Sequence, residues 1–367
     1  MKNTSAILPT AYDMSTLPPF VVRGDGGTID TTYINLSANE SPFGPSANVE
    51  EVILSQKYSV NRYPDMSSFE LKKTIAELHN LDPKKIICGN GSDSIIFNIA
   101  LTYASRKHEV IMSKYSFTMF KRAAISAGAI PVVVDEENYS FCAERALEAV
   151  SEKTRVVFIA NPNNPTGSFM TMDELVRFRE KLPQNILLVI DDAYQEYAEN
   201  KGCPNGLDLA KKWSNIIVTR TMSKVYALAA LRVGWAYASQ DVSDNLNRLR
   251  QPFNINGIAQ PAAIAALKDQ SFVSRNVDHN DKWQPFLSSQ LGSLGLESLP
   301  SAGNFLTVRF PENEEHNATS ALRFLYTKKI IARTTADYEM PNFMRITIGS
   351  EQENLLLLDA LTNFLRP

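Results

Sequence analysis

The residues with chemical potential follow the ends of four short apolar runs. After the run 85–88 comes Gly89-Asn90-Gly91-Ser92-Asp93, leading straight into a helical pattern. Glycines permit close backbone approach and the free N–H groups of a helix start favour a phosphate, although a Gly-rich helix entry taken alone is an ordinary turn. After 156–160 comes Asn161-Pro162-Asn163-Asn164-Pro165-Thr166-Gly167, where two prolines and a glycine stiffen the loop and hold the Asn164 amide at a fixed place. The run 186–190 ends in Asp191-Asp192-Ala193-Tyr194. A carboxylate at the end of a buried strand is costly unless a cation or hydrogen bonds meet it, and a pyridinium nitrogen is such a cation; a helix N-cap is the plainer use of the same aspartate.

The fourth run, 216–219, leads into Arg220-Thr221-Met222-Ser223-Lys224, then a mostly apolar stretch from Val225 to Leu231, then Arg232. Five basic residues and no acidic one stand between 211 and 240. A charge run ordinarily marks a solvated face, but this one is mixed with small and apolar residues and reads as partly buried. Two hydroxyls and an arginine can hold a phosphate dianion, while burial and neighbouring positive charge depress the lysine pKa and make its amine nucleophilic. Phosphate anchor, ring-nitrogen carboxylate, phenolic-oxygen donors and Schiff-base lysine together satisfy one cofactor, pyridoxal 5'-phosphate (PLP).

Such stations require a sheet whose strands end side by side. Runs rich in β-branched residues predict strands at 85–88, 109–113, 130–134, 156–160, 186–190, 216–219 and 232–238, with helices between them at 92–104, 118–127, 143–150 and 172–181. The fold class expected is α/β, a mainly parallel sheet flanked by helices, with ligands beyond the carboxyl ends of the strands. Three segments are expected: an N-terminal arm, residues 1–48, that also supplies part of a small domain; a large cofactor-binding domain, 49–261; and a small C-terminal α+β domain, 262–367, with a long helical pattern and apolar runs at 305–310 and 345–348.

Composition sets the limits around this reading. With 367 residues, 44% hydrophobic, 21% charged and a net charge of -3, the chain has the profile of an ordinary globular protein large enough to bury an active site. No basic stripe offers a footprint for nucleic acid. No apolar run reaches the roughly 18–20 residues needed to span a bilayer, so no membrane is expected. Cys88, Cys142 and Cys203 form no CxxC pair and share no recurrent spacing with the four histidines. Neither a metal site nor a disulfide framework is expected, and a cytoplasmic location is the default.

Over essentially its whole length the sequence resembles the fold-type-I PLP aminotransferases, and within them the histidinol-phosphate aminotransferase group. The matching segments are LSANESPFGPS (36–46), NRYPD (61–65), GNGSD (89–93), NPNNPTG (161–167), DDAY (191–194), TMSKVYALAALRVGW (221–235) and MRITIG (344–349). The resemblance implies the PLP-dependent transferase fold, with a large domain and a smaller α+β domain. It implies that Lys224 carries the cofactor and shuttles a proton, that Asp191 keeps the pyridine nitrogen protonated, and that Asn164 and Tyr194 hydrogen-bond the phenolic oxygen. Phe117 would stack on the ring; Gly91, Ser92, Asp93, Thr221, Ser223 and Arg232 would form the phosphate cradle. Tyr63 would reach that phosphate from a second subunit, which makes a homodimer with shared sites. Arg345 would bind the donor's carboxylate, with Arg333, Asn304, Asn39 and Phe20 lining the substrate pocket.

Two positions depart from the family pattern. Asp192 stands where glutamate is usual, and Phe20 stands where phosphate-recognising members commonly carry a tyrosine whose hydroxyl meets the substrate phosphate. The leading reading is transamination of L-histidinol phosphate, with a glutamate and 2-oxoglutarate pair, in histidine biosynthesis. An aromatic amino acid aminotransferase on the same scaffold, which would tolerate Phe20 better, is the alternative; a decarboxylase of the threonine-phosphate type and a cofactor-binding regulator without catalysis follow.

Overall fold

The computed structural model describes residues 32–55 and 60–366. Runs of apolar, largely β-branched residues become strands: β1 (Ile34–Asn35), β2 (Ile86–Asn90), β3 (Glu109–Ser113), β4 (Ile130–Val134), β5 (Thr154–Ala160), β6 (Leu187–Asp191), β7 (Ile216–Thr221), β8 (Val233–Tyr237), β9 (Glu297–Ser298), β10 (Phe305–Arg309), β11 (Ile330–Ile331), β12 (Arg333–Thr334) and β13 (Phe343–Thr347). Seven of them form one sheet in the order β2-β8-β7-β6-β5-β3-β4. β8 runs antiparallel to both its neighbours, β2 and β7, while every other pair in this sheet is parallel. The link from β7 to β8 holds no α-helix, only the turn at Lys224 and a 3-10 turn, Ala229–Leu231. Without a crossover helix the chain turns back and pairs antiparallel.

Strand ends differ slightly from those the sequence predicts. A 3-10 turn, Pro83–Lys85, capped by Asp82, holds Lys85 out of the sheet, and pairing with β8 extends β2 to Asn90. Arg232 has φ 56°, so β8 starts at Val233.

Alternation along the strands builds two cores. Val157, Ile159, Leu188, Ile190, Ile216 and Val218 face one side, against the helices Phe69–His79 and Ala259–Lys268. Val156, Phe158, Leu187, Val189 and Ile217 face the other side, with the helices Gly91–Tyr103 and Thr118–Ser126. Because successive side chains point to opposite faces, Asp191 and Thr219 leave the sheet on the second side, and Asp192 and Arg220 on the first.

A second sheet, β12-β13-β10-β9, packs on the helices Gln270–Ser293, Ala318–Thr327 and Glu351–Leu365. Leu36 joins its core, and β1 pairs with β11, which ties part of the N-terminal arm to this unit. The helix Ala259–Lys268 runs through residue 261, the expected division, and its alanines belong to the core of the large sheet. We propose that the division lies further on, inside the helix Gln270–Ser293: Val273 and Val277 pack on the large core, Trp283, Leu287 and Leu291 on the small one. Among the described residues no helix is long and apolar enough to cross a membrane.

Candidate active site

The carboxyl ends of β5, β6 and β7 surround a cavity of about 120 Å³ lined by Ser92, Asp93, Phe117, Ala160, Pro162, Asn164, Asp191, Ala193, Tyr194, Thr221, Ser223, Lys224 and Arg232. All four strand-end segments singled out in the sequence therefore meet at one place.

One end of the cavity is a cationic cradle. Gly91, with φ +76°, opens the helix Gly91–Tyr103, and a Cβ at that position would stand 2.5 Å from Arg232 Nη2. Gly234 is needed just as tightly, since its Cβ would lie 2.2 Å from the backbone nitrogen of Ser92. Arg232 occupies the left-handed region, a conformation that costs a non-glycine residue about 1–3 kcal/mol and tends to be kept at functional sites. Its guanidinium donates to the Ala229 carbonyl (3.0 Å) and to Ser223 Oγ (3.5 Å), and pairs with Asp93 at 3.3 Å. Both partners of that pair are open to the cavity. A helix N-terminus, the Ser92, Thr221 and Ser223 hydroxyls and one guanidinium form a donor set suited to a phosphate dianion.

At the sheet floor, Asp191 is 3% exposed. Burial pushes its carboxyl up to about 7, against the hydrogen bond that Thr219 Oγ1 donates to Oδ1 at 2.7 Å. Among the described residues no donor meets Oδ2. A buried carboxylate with one oxygen held and the other free in a cavity is matched by a cationic ring N–H.

Lys224 Nζ donates to the Ala38 carbonyl at 2.8 Å and lies 5.8 Å from the centre of the Tyr194 ring. Burial first, then the positive charge of Arg345, bring its pKa down to about 8. Tyr194 OH accepts from Asn39 Nδ2 at 2.8 Å, which leaves its own proton to donate into the cavity. Burial holds that phenol up at about 12, so it stays protonated near neutral pH. Asn39, itself left-handed at φ 55°, is fixed by Thr347 Oγ1.

Arg345, on β13, is 5% exposed. Nη1 donates to Asn164 Oδ1 (2.5 Å), Nη2 donates to the Ser37 carbonyl (2.7 Å), and Nε has no partner. No carboxylate lies within salt-bridge distance of it among the described residues. The contact also orients the Asn164 amide: with the oxygen turned to Arg345, the NH2 group faces the cavity. Asn304 Nδ2 donates to the Asn39 carbonyl at 3.2 Å, and its buried Oδ1 is unmet.

Not every predicted residue joins the cavity. Arg333 is the register partner of Arg345 across β12 and β13 and pairs with Asp337. Tyr63 is 81% exposed and stacks on Phe253 at 4.4 Å between ring centres, away from the cavity of its own chain. Phe20 lies outside the described residues. Asp192 is fully buried on the opposite face of the sheet, where Arg220 bridges it (3.4 Å) and Glu196 (3.3 Å). Sequence reasoning missed Thr219 and the Ala38 and Ser37 carbonyls. For Thr219 the signal is there, since it lies two residues before Thr221 on the same face of β7; a backbone carbonyl carries no sequence signal at all.

The sequence profile of the class I and II aminotransferases matches residues 31–361. The chain belongs to the class I and II aminotransferases. It is 41% identical over 364 residues to a histidinol-phosphate aminotransferase of Sphingopyxis alaskensis, covering 98% of this chain and 97% of that one. A histidinol-phosphate aminotransferase of Maricaulis maris is 40% identical over 333 residues, covering 91% and 92%. Among solved structures, histidinol-phosphate aminotransferase from Sinorhizobium meliloti, in complex with pyridoxal-5'-phosphate, aligns with TM-score 0.84 and 28% identity over 91% of each chain. The expected fold is therefore the one observed. L-threonine-O-3-phosphate decarboxylase from Porphyromonas gingivalis, at 20% identity and TM-score 0.77, shares the fold.

Proposed function

We propose that this aminotransferase uses PLP and interconverts L-histidinol phosphate and its ketone, imidazole acetol phosphate, with glutamate and 2-oxoglutarate as the second pair. The observation that carries the cofactor is the alignment of a free Asp191 oxygen, a phosphate cradle and a lysine of lowered pKa in one cavity. The substrate rests on the names of relatives at 40–41% identity over more than nine-tenths of the chain, joined to a buried arginine without a counter-ion.

When bound, PLP supplies an electron sink for the carbanion formed at the substrate carbon. The chain's own residues do the rest. Asp191 holds the proton on the ring nitrogen, with Thr219 steadying the carboxylate. Tyr194 and the Asn164 amide donate to the phenolic oxygen, each oriented by a neighbour, Asn39 and Arg345. Phe117 covers one ring face, while Gly91, Ser92, Thr221, Ser223 and Arg232, with Asp93 behind it, grip the phosphate. Lys224 would hold the cofactor aldehyde and, once its amine is free, would carry the proton to and from the substrate carbon; an amine whose pKa burial lowers to about 8 is matched to that exchange near neutral pH. Arg345 meets the phosphate of one substrate and the carboxylate of the other, and Asn304 and Asn39 close that side.

Tyr63, exposed beside Phe253 and the apolar side chains Val60, Met66 and Phe69, suits contact with a second copy that completes the cradle; we read the enzyme as a homodimer with shared sites. A cytoplasmic setting keeps the three unpaired thiols, Cys88, Cys142 and Cys203, reduced.

One observation favours the aromatic alternative: Tyr338, Met340 and Phe343 pack with Tyr115 and Tyr139 as an aromatic wall next to the β12–β13 edge. Comparing kcat/KM for L-histidinol phosphate and L-phenylalanine, each with 2-oxoglutarate, decides between them. The proposal expects histidinol phosphate to win by at least an order of magnitude, and a preference for phenylalanine overturns it.

A further inference from the structure

We propose that Asp337 is a built-in, displaceable counter-ion that sets how strongly the site takes a doubly charged substrate anion. The inference rests on the reading of Arg333 as a substrate-binding residue.

Thr307, Arg345 and Arg333 are in register across β10, β13 and β12. Directly opposed residues of an antiparallel sheet point to the same face, with Cβ atoms about 5 Å apart. That face looks at the active-site loop, because Thr307 Oγ1 donates to the Pro165 carbonyl and Arg345 to Asn164. Two guanidinium groups thus leave neighbouring positions on the sheet face that meets the active-site loop.

Their environments differ. Arg345 has no carboxylate partner, whereas Arg333 is paired through Nη2 with one oxygen of Asp337, four residues on. That contact is single-pointed. Arg333 Nε is buried and unmet, although guanidinium groups and oxyanions are best matched by two parallel hydrogen bonds. The pair is also partly open, with side-chain exposures of 25% and 31%, so an incoming anion can reach it. A phosphate oxygen can take the Nη2–H that Asp337 holds, and the guanidinium freed from Asp337 can turn its buried, orphaned Nε–H to a second oxygen. Asp337 sits on a short 3-10 turn, Ala336–Tyr338, whose next residue, Glu339, pairs with Lys114 at 3.7 Å; the turn is thereby anchored independently of Arg333. Displacing Asp337 from the guanidinium need not unfold it.

Charge then decides selectivity. With Asp337 in place the two arginines present a net single positive charge, enough for a carboxylate; once it is displaced they present two, matching a phosphate dianion. Asp337 accordingly moderates affinity for the phosphorylated substrate and lets a monoanionic partner leave.

The test uses the PLP-saturated full chain and two probes: inorganic phosphate as a competitive inhibitor, and L-histidinol phosphate as substrate. Asp337→Asn, and separately Asp337→Ala, is expected to lower the phosphate Ki and the histidinol phosphate KM by roughly three- to tenfold, with kcat nearly unchanged, because a partly exposed pair is screened. In an Arg333→Met background, Asp337→Asn is expected to change neither constant. If Asp337 instead holds Arg333 in its binding pose, both constants rise in the single variants, and that result overturns the proposal, as does no change in Ki. Should histidinol phosphate prove not to be a substrate, the reading of function fails on that assay alone, while the phosphate Ki still decides the role of Asp337.

Discussion

Replacing Thr219 with valine removes one hydroxyl without changing shape, and its effect on cofactor binding is set by the pH. Thr219 Oγ1 donates to Asp191 Oδ1 at 2.7 Å, and both residues are buried. A hydrogen bond to a charged group contributes about 1.5–3 kcal/mol, or roughly ten- to hundredfold in a dissociation constant. At pH 6 the ligand-free carboxyl holds its proton, since burial raises its pKa to about 7, whereas the PLP-bound state needs the carboxylate. The free state loses only a bond to a neutral acid while the bound state loses one to a charge, a difference of about 1–1.5 kcal/mol, and Thr219→Val is expected to weaken PLP binding by roughly tenfold. Losing that bond raises the carboxyl pKa further, and well above it the carboxylate is present both free and bound, so the ratio shrinks toward one. Titration of the ligand-free protein with PLP at pH 6 and pH 9.5, followed by visible absorbance, reads both limits, and Thr219→Ser is expected to retain near-normal binding. A loss below twofold at pH 6, or an equal loss at both pH values, would refute the reasoning.

Three further expectations follow from the same geometry. Arg345→Leu removes a buried guanidinium that pairs with no anion in the free protein, so KM for both substrates should rise by about 100-fold or more while the Tm of the ligand-free protein holds or rises; steady-state kinetics and thermal melts check this. Asp191 binds a proton more tightly folded than unfolded, so the stability it contributes is present below about pH 4 and is lost as pH rises through about 7. The ligand-free Asp191→Asn variant should therefore gain stability on wild type by about 1–4 kcal/mol between pH 5 and pH 8, read by urea melts, and a constant difference would contradict the burial argument. Lys224, with its pKa lowered to about 8, should capture PLP covalently at a rate that rises to a plateau near that pH; a rate still climbing nearly tenfold between about pH 8.5 and 9.5 would mean the amine is unperturbed.

How much of this was legible in the sequence follows from where each kind of information is stored. The four strand-end segments are short runs whose chemistry lies within a few residues, so GNGSD, NPNNPTG, DDAY and TMSK could be placed at one site from the strand pattern alone. The antiparallel course of β8 was not legible, since it depends on the tight return after Lys224 rather than on any property of the strand itself. Nor was the contact of Asn39 with Tyr194, which joins residues 155 apart. The helix Ala259–Lys268 hid the division between the sheets for a similar reason: its alanine-rich pattern fits either core, and only packing assigns it to the large one. Arg333 could be named from the sequence, but its registration beside Arg345 and its tie to Asp337 required the β12–β13 pairing.

Locating the bound cofactor on the chain tests the central claim most directly. Holoenzyme reduced with borohydride and digested with protease is expected to yield one peptide bearing the phosphopyridoxyl group, modified at Lys224, and Lys224→Ala is expected to bind PLP yet lack the lysine-dependent visible band. A label on any other lysine, or a visible band and transaminase activity retained by Lys224→Ala, would contradict the account.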